Sequence, residues 1–233
     1  MTSSGVGGDD FVILKKMSTI DLTPLLKSPR LPEFAAALND RLQVEAVARN
    51  RFYDEMTDAE KVEFIDGEVI MHSPARNQHL LAKMNLARLL SIFVDTHDLG
   101  KVRDEKCLCV FPRNDYEPDI VFFGPEKSAN ILPKTMKFPV PDFVVEVLSD
   151  STESRDRGVK FEDFEAHGVS EYWIVDAETE IVEQYVIENG VFRLLLKSGS
   201  GEIVSRTVAG FQIPIRAMFD PTENLMTLKK LLK

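Results

Sequence analysis

Two acidic residues sit inside stretches of this chain that otherwise read as buried β-strand. Pro118-Asp119-Ile120-Val121-Phe122-Phe123 sets an acid ahead of four apolar residues, and Phe143-Val144-Val145-Glu146-Val147-Leu148 encloses one on both sides. Near-continuous apolar runs of this kind mark central strands covered on both faces. A carboxylate carried into such a strand costs on the order of several kcal/mol unless it finds partners. Lys160, downstream of Glu146, is one available partner, and a divalent metal ion is another. Two acids and a lysine brought together suit metal-dependent phosphodiester chemistry.

Strand geometry sharpens this reading. Alternate residues share a face, so Asp142, Val144, Glu146 and Leu148 point one way and Phe143, Val145 and Val147 the other. If the Asp119 strand lies alongside, Asp119 and Glu146 converge on one ion. Hard oxygen ligands suit Mg2+ or Mn2+, which retain several waters and bind substrate phosphate directly. Lys160 then serves as a compact cation beside the attacking water or the developing negative charge. Its alternative is a structural helical ion pair with Asp156, four residues earlier.

The surrounding pattern indicates an α/β chain with a central mixed sheet flanked by helices, N-terminal helices and additional β-hairpins. Its 233 residues suffice for one well-buried core plus an N-terminal element. Residues 1–10 read as a disordered tail and 11–50 as a helical extension, with the main domain over 51–233. Helices are expected over 33–48, 79–98 and 152–167. Strands are expected over 102–111, 119–123, 142–148 and 171–176, with hairpins at Asp66-Gly67 and Asn189-Gly190, dipeptides suited to positive-φ turns. Residues 124–141 contain four prolines and read as a flap beside the site or as a surface excursion.

Composition narrows the classes. No apolar run approaches the ~20 residues of a membrane span, and the first ten residues lack the basic and apolar pattern of a secretory signal, so a cytoplasmic protein is expected. Cys107 and Cys109 read as buried core residues rather than as half of a zinc site completed by His72 and His97. A net charge of −10 opposes tight binding to nucleic acid. Arg155, Arg157 and Lys160 nevertheless place positive charge just after the Glu146 strand. Ser149 and His167 have no nucleophile-elbow context, which argues against a serine hydrolase.

Several separated stretches resemble, in order, the Uma-type family of restriction endonucleases. They are Val62-Glu63-Phe64-Ile65-Asp66-Gly67-Glu68-Val69, Met71-His72-Ser73-Pro74 with His79, Glu117-Pro118-Asp119, Val145-Glu146-Val147-Leu148-Ser149, Asp156 with Lys160, and Gly168-Val169-Ser170-Glu171-Tyr172-Trp173-Ile174-Val175-Asp176. The resemblance spans roughly residues 50 to 220 and implies the PD-(D/E)XK superfamily, with a restriction-endonuclease-like core. It implies that Asp119 and Glu146 are catalytic acids and metal ligands, and that Lys160 is the catalytic lysine, displaced to a helix because Leu148 stands two positions after Glu146. It further implies an accessory catalytic role for Glu63 and a substrate-binding role for His79. Phe164 stands where the family commonly has tyrosine, and Asp150 replaces a common proline. The expected activity is metal-dependent DNA endonuclease, with weak, salt-dependent DNA binding and, by analogy, a homodimer. The alternative is a nuclease-fold interaction module without cleavage.

Overall fold

The computed structural model describes residues 21–57 and 60–232, so the expected disordered tail over 1–10 lies outside the described residues. The chain divides into two compact units at Val47/Ala48. In the first, the short helix α1 (Thr23–Leu26) precedes the opening turns of α2 (Leu31–Glu55), which is longer at both ends than the expected 33–48. Leu38, Leu42, Val44 and Val47 on this part of α2 face solvent.

The second unit begins with the last turns of α2 and the hairpin β1 (Val62–Ile65) and β2 (Glu68–Met71), followed by α3 (Asn77–Thr96). Next come β3 (Lys101–Asp104), β4 (Leu108–Val110), β5 (Asp115–Tyr116), β6 (Ile120–Phe123), α4 (Pro125–Ser128), β7 (Lys137–Phe138) and β8 (Phe143–Val147). Short α5 (Glu153–Asp156) and α6 (Val159–Ala166) lead to β9 (Glu171–Asp176), β10 (Ile181–Glu188), β11 (Val191–Ser198), β12 (Glu202–Val204), β13 (Gln212–Pro214) and α7 (Pro221–Leu231). Both expected tight turns form, with φ of 53° and 90° at Asp66-Gly67 and 54° and 79° at Asn189-Gly190. Two successive positive φ angles match the twist of the flanking strands.

Strands β11-β10-β9-β8-β6-β3 form a six-stranded sheet in which β8 and β9 are parallel and the other pairs antiparallel. It is a mixed sheet, covered on both faces. On one side Leu86, Leu89, Leu90 and Phe93 of α3 pack with Phe122, Phe143, Val145, Val147 and Trp173. On the other, Phe164 of α6 joins Val121, Phe123, Val144, Tyr172 and Ile174, together with Phe111 and Tyr116. The strand alternation of Val144 against Val145 thus divides two cores. A five-stranded sheet, β2-β1-β5-β4-β7, stands beside the second core, with Phe52 at the end of α2 packed on Phe64.

Two expected elements are broken. The strand read over 102–111 is two strands belonging to different sheets, because Glu105 and Lys106 between them take φ of 37° and 47°. The helix read over 152–167 is α5 and α6, divided at Gly158. A Cβ at Gly158 would lie 2.7 Å from the carbonyl oxygen of Ser154, so only glycine permits this tight passage.

Candidate active site

Antiparallel pairing of β6 with β8 sets Ile120 opposite Val145, which brings Asp119, at the entrance to β6, level with Glu146. The backbone N–H of Asp119 donates to Glu146 Oε2 at 3.2 Å, and the N–H of Val147 donates to Asp119 Oδ2 at 2.9 Å. Each carboxylate therefore caps the other's strand. Both are buried.

The break at Gly158 lets α6 settle on the face that carries Val144 and Glu146. Lys160 Nζ, fully buried, lies 2.8 Å from Glu146 Oε1, 2.9 Å from Glu63 Oε1 and 3.3 Å from Asp156 Oδ1. The helical pair with Asp156 and the contact with Glu146 coexist. Glu63, on buried β1, also accepts the Glu117 N–H at 3.0 Å. Its Oε2 is 3.0 Å from His72 Nε2, although neither atom has an aligned hydrogen-bond partner. Around Asp119, Lys61 Nζ lies 3.0 Å from Oδ1 and His79 Nε2 3.5 Å from Oδ2. The five residues Asp119, Glu146, Lys160, Glu63 and His79 thus stand within one contiguous cluster.

The cluster's electrostatics follow from burial with too few cations. Glu63, Asp119, Glu146 and Asp156 are four acids against the two lysines 61 and 160. Burial disfavours charge on Lys160, but Glu146, Glu63 and Asp156 outweigh it and push its pKa well up, so the ammonium persists. One lysine cannot ionise three acids. Burial, reinforced by Asp156 and Asp119, pushes Glu146 up to about 8 in spite of Lys160. Burial acts the same way on Glu63, yet Lys160 and His72 hold it down to about 2. Asp119 is held well below the usual carboxylate range, its burial overcome by His79, Lys61 and the Val147 N–H.

A cleft of about 880 Å³ opens onto this cluster, lined by Asp119, Glu146, Lys160, His79, His72 and Arg155 among others. Its walls come from the loop after β2, the start of α3 and the loop between β8 and α5. No residue of 124–141 lines it, which overturns the flap reading: Lys137 and Phe138 pair with β4 instead, and Lys127 binds Asp142 at 2.7 Å. Phe164 stays out of the cleft as well, stacked edge-on against Tyr116 and Tyr172 in the core.

Residues 50–216 match the family described as "Putative restriction endonuclease", Uma2. The chain belongs to the Uma2 family. Among solved structures, the Uma2 chain is similar to a protein described as "a putative nuclease" from Anabaena variabilis, at a TM-score of 0.64 and 16% identity, over 75% of this chain and 97% of that one. That likeness shows the fold, a restriction-endonuclease-like core of mixed sheet flanked by helices. No curated protein matches the chain.

Three residues of the Uma2 cluster carry no signal that sequence patterning could isolate. Lys61 precedes a hairpin as any solvated lysine does, while His72 at a strand end and Asp156 one turn before Lys160 fall in stretches that resemble the family, yet their spacing alone does not show which acid or lysine they meet. Their roles emerge from tertiary contacts. Among the described residues no group of three or more His, Cys, Asp and Glu side chains is arranged as a metal cage. A cage is unnecessary for Mg2+, which takes one or two protein carboxylates and keeps its waters. Asp119 and Glu146 would supply that donor set, and the excess of four acids over two lysines suits a divalent cation.

Proposed function

We propose that this protein is a Mg2+- or Mn2+-dependent endonuclease that hydrolyses phosphodiester bonds in DNA. The reading rests above all on the juxtaposition of Asp119 and Glu146 across two paired strands, with Lys160 2.8 Å from Glu146. The family match and the nuclease-like fold support it. Asp119 and Glu146 would hold the ion, which when bound supplies Lewis-acid activation of water and neutralisation of phosphate charge.

Each residue has a distinct task in this proposal. Lys160 keeps its proton and presents a fixed positive charge to the phosphate oxygens as negative charge builds on them. Glu63 holds that ammonium through Oε1. His79, at the start of α3 and lining the cleft, contacts the substrate phosphate. Glu146, whose burial raises its affinity for a proton, would give that proton up to serve as a carboxylate ligand beside Asp119. The chain's net charge of −10 predicts weak association with DNA, and the reliance of that association on phosphate contacts makes it fall steeply with salt.

Cleavage of supercoiled and linear DNA by the purified chain across Mg2+ and Mn2+ concentrations tests the reading, with Asp119→Ala and Lys160→Ala alongside. Metal-dependent cutting lost in both variants is expected. Cutting that survives in both variants points to a contaminating nuclease, and an inert wild type counts against the reading and favours an interaction module on a nuclease fold.

A further inference from the structure

The loop that joins β8 to α6 holds a positive charge that the protein itself leaves unanswered. Arg155, on α5, lines the cleft beside Asp156 and Lys160. No acid among the described residues pairs with it, and its buried Nε has no hydrogen-bond partner. This is unusual in so acidic a segment. The neighbouring acids are committed elsewhere: Asp150 lies 2.5 Å from Arg76, Glu153 2.9 Å from Arg157, and Asp156 3.3 Å from Lys160. Arg157, two residues on, also grips Glu183. The loop's arginines are therefore sorted, one pair-locked and one free, and the free one faces the cleft.

Hydroxyls stand beside it. Ser149 Oγ bonds Ser151 Oγ at 3.2 Å and Thr152 Oγ1 at 3.0 Å, and all three residues line the same cleft. These hydroxyls bond one another, and a hydroxyl can rotate to suit a new partner. A planar guanidinium with hydroxyl donors matches a phosphate group, for which arginine offers several N–H donors in fixed geometry. A buried Nε left unmatched carries a desolvation cost that an anion would remove.

We infer that Arg155, with Ser149, Ser151 and Thr152, forms a phosphate subsite in the cleft that seats a backbone phosphate of the nucleic-acid substrate next to the one being cut. The inference rests on the nuclease reading for the identity of its ligand, and assigns Arg155 a substrate-binding role separate from the Asp119, Glu146 and Lys160 cluster. Because the contact is to phosphate, it positions the strand without reading its sequence.

The experiment uses the full chain with a short fluorescein-labelled single-stranded DNA in Ca2+, and separately measures cleavage in Mg2+, for the wild type, Arg155→Gln, Arg155→Lys and Asp119→Asn. Arg155→Gln is expected to weaken binding about tenfold and to lower the dependence of log Kd on log salt by about one phosphate contact. Arg155→Lys restores part of both, and in cleavage the loss falls on KM with kcat changed by less than about threefold. Millimolar inorganic phosphate that displaces the oligonucleotide from wild type but not from Arg155→Gln places a free phosphate in the same subsite. An unchanged salt slope in Arg155→Gln, equal binding by all variants, or a wild type that does not bind overturns the inference. The two readings separate cleanly: cutting with Arg155 irrelevant leaves the nuclease and removes the subsite, whereas Arg155-dependent binding without cutting leaves the subsite and removes the nuclease.

Discussion

Asp119 and Glu146 are tied through each other's backbone: the Asp119 N–H reaches Glu146 Oε2, and the N–H next to Glu146, that of Val147, reaches Asp119 Oδ2. Neither carboxylate can move without loosening the pairing of β6 and β8. The same atoms that would meet a cation therefore also hold the strand ends in register.

Metal linkage follows from this pair. A cation that binds only the folded chain stabilises it by about 2.7 kcal/mol at a hundredfold excess over Kd. Mg2+ or Mn2+ is expected to raise the melting temperature of the wild type and not that of Asp119→Asn or Glu146→Gln, as followed by differential scanning fluorimetry. A wild type indifferent to both ions would argue against the two-carboxylate site.

Replacing Lys160 removes the one cation shared by three buried acids. Lys160→Met is expected to cost about 3–5 kcal/mol near neutral pH, the usual penalty for stranding a buried charge. The loss should shrink toward pH 5 as the orphaned carboxylates take up protons. Urea unfolding at several pH values checks both the size and the trend, and a loss that grows on acidification would contradict the ion-pair account.

The acid limb of stability has a second contributor outside the site. Burial alone would raise Glu183, but hydrogen bonds from Arg157, Tyr185 and Lys197 win and hold it down to about 2. A folded pKa below the unfolded one gives stability that is fully present above about 4.5 and is lost as pH falls toward 2. Glu183→Gln should therefore flatten the stability curve between those values, a change visible in acid titrations followed by circular dichroism.

Gly158 gives the sharpest packing test. Ala at this position must push its Cβ against the Ser154 carbonyl 2.7 Å away, and relief requires α5 and α6 to separate. A loss of about 1–3 kcal/mol is expected from such overpacking. Because Lys160 is two residues beyond, activity should fall as well, and a Gly158→Ala chain with wild-type stability would refute the close approach.

Much of this was legible in the chain itself, for identifiable reasons. Asp119 and Glu146 announce themselves because an acid within an apolar run has no cheap bland explanation, and Asp66-Gly67 and Asn189-Gly190 because few dipeptides accept two positive φ angles. Alternation along 143–147 correctly separated Glu146 from Val145. The breaks at Glu105-Lys106 and Gly158 were hidden: left-handed φ at ordinary charged residues is imposed by tertiary context, and a glycine inside a helical pattern does not disclose which carbonyl it must clear. Residues 124–141 misled because proline density marks irregular backbone but not its neighbours. Lys61 and His72 acquire meaning only from Asp119 and Glu63, residues far from them in sequence or across a hairpin.

The split of the charge set between strand and helix has a dynamic consequence. Glu146 is fixed by the sheet, but its counter-charge arrives on α6, an eight-residue helix that leans on Val144, Tyr172 and Phe192. Were α6 to open alone, Glu63, Glu146 and Asp156 would lose Lys160 together, so that partial opening is penalised by the very acids the helix covers. Amide exchange along α6 should then be as slow as in β8 and β9, with the helix and the central sheet unfolding as one cooperative unit.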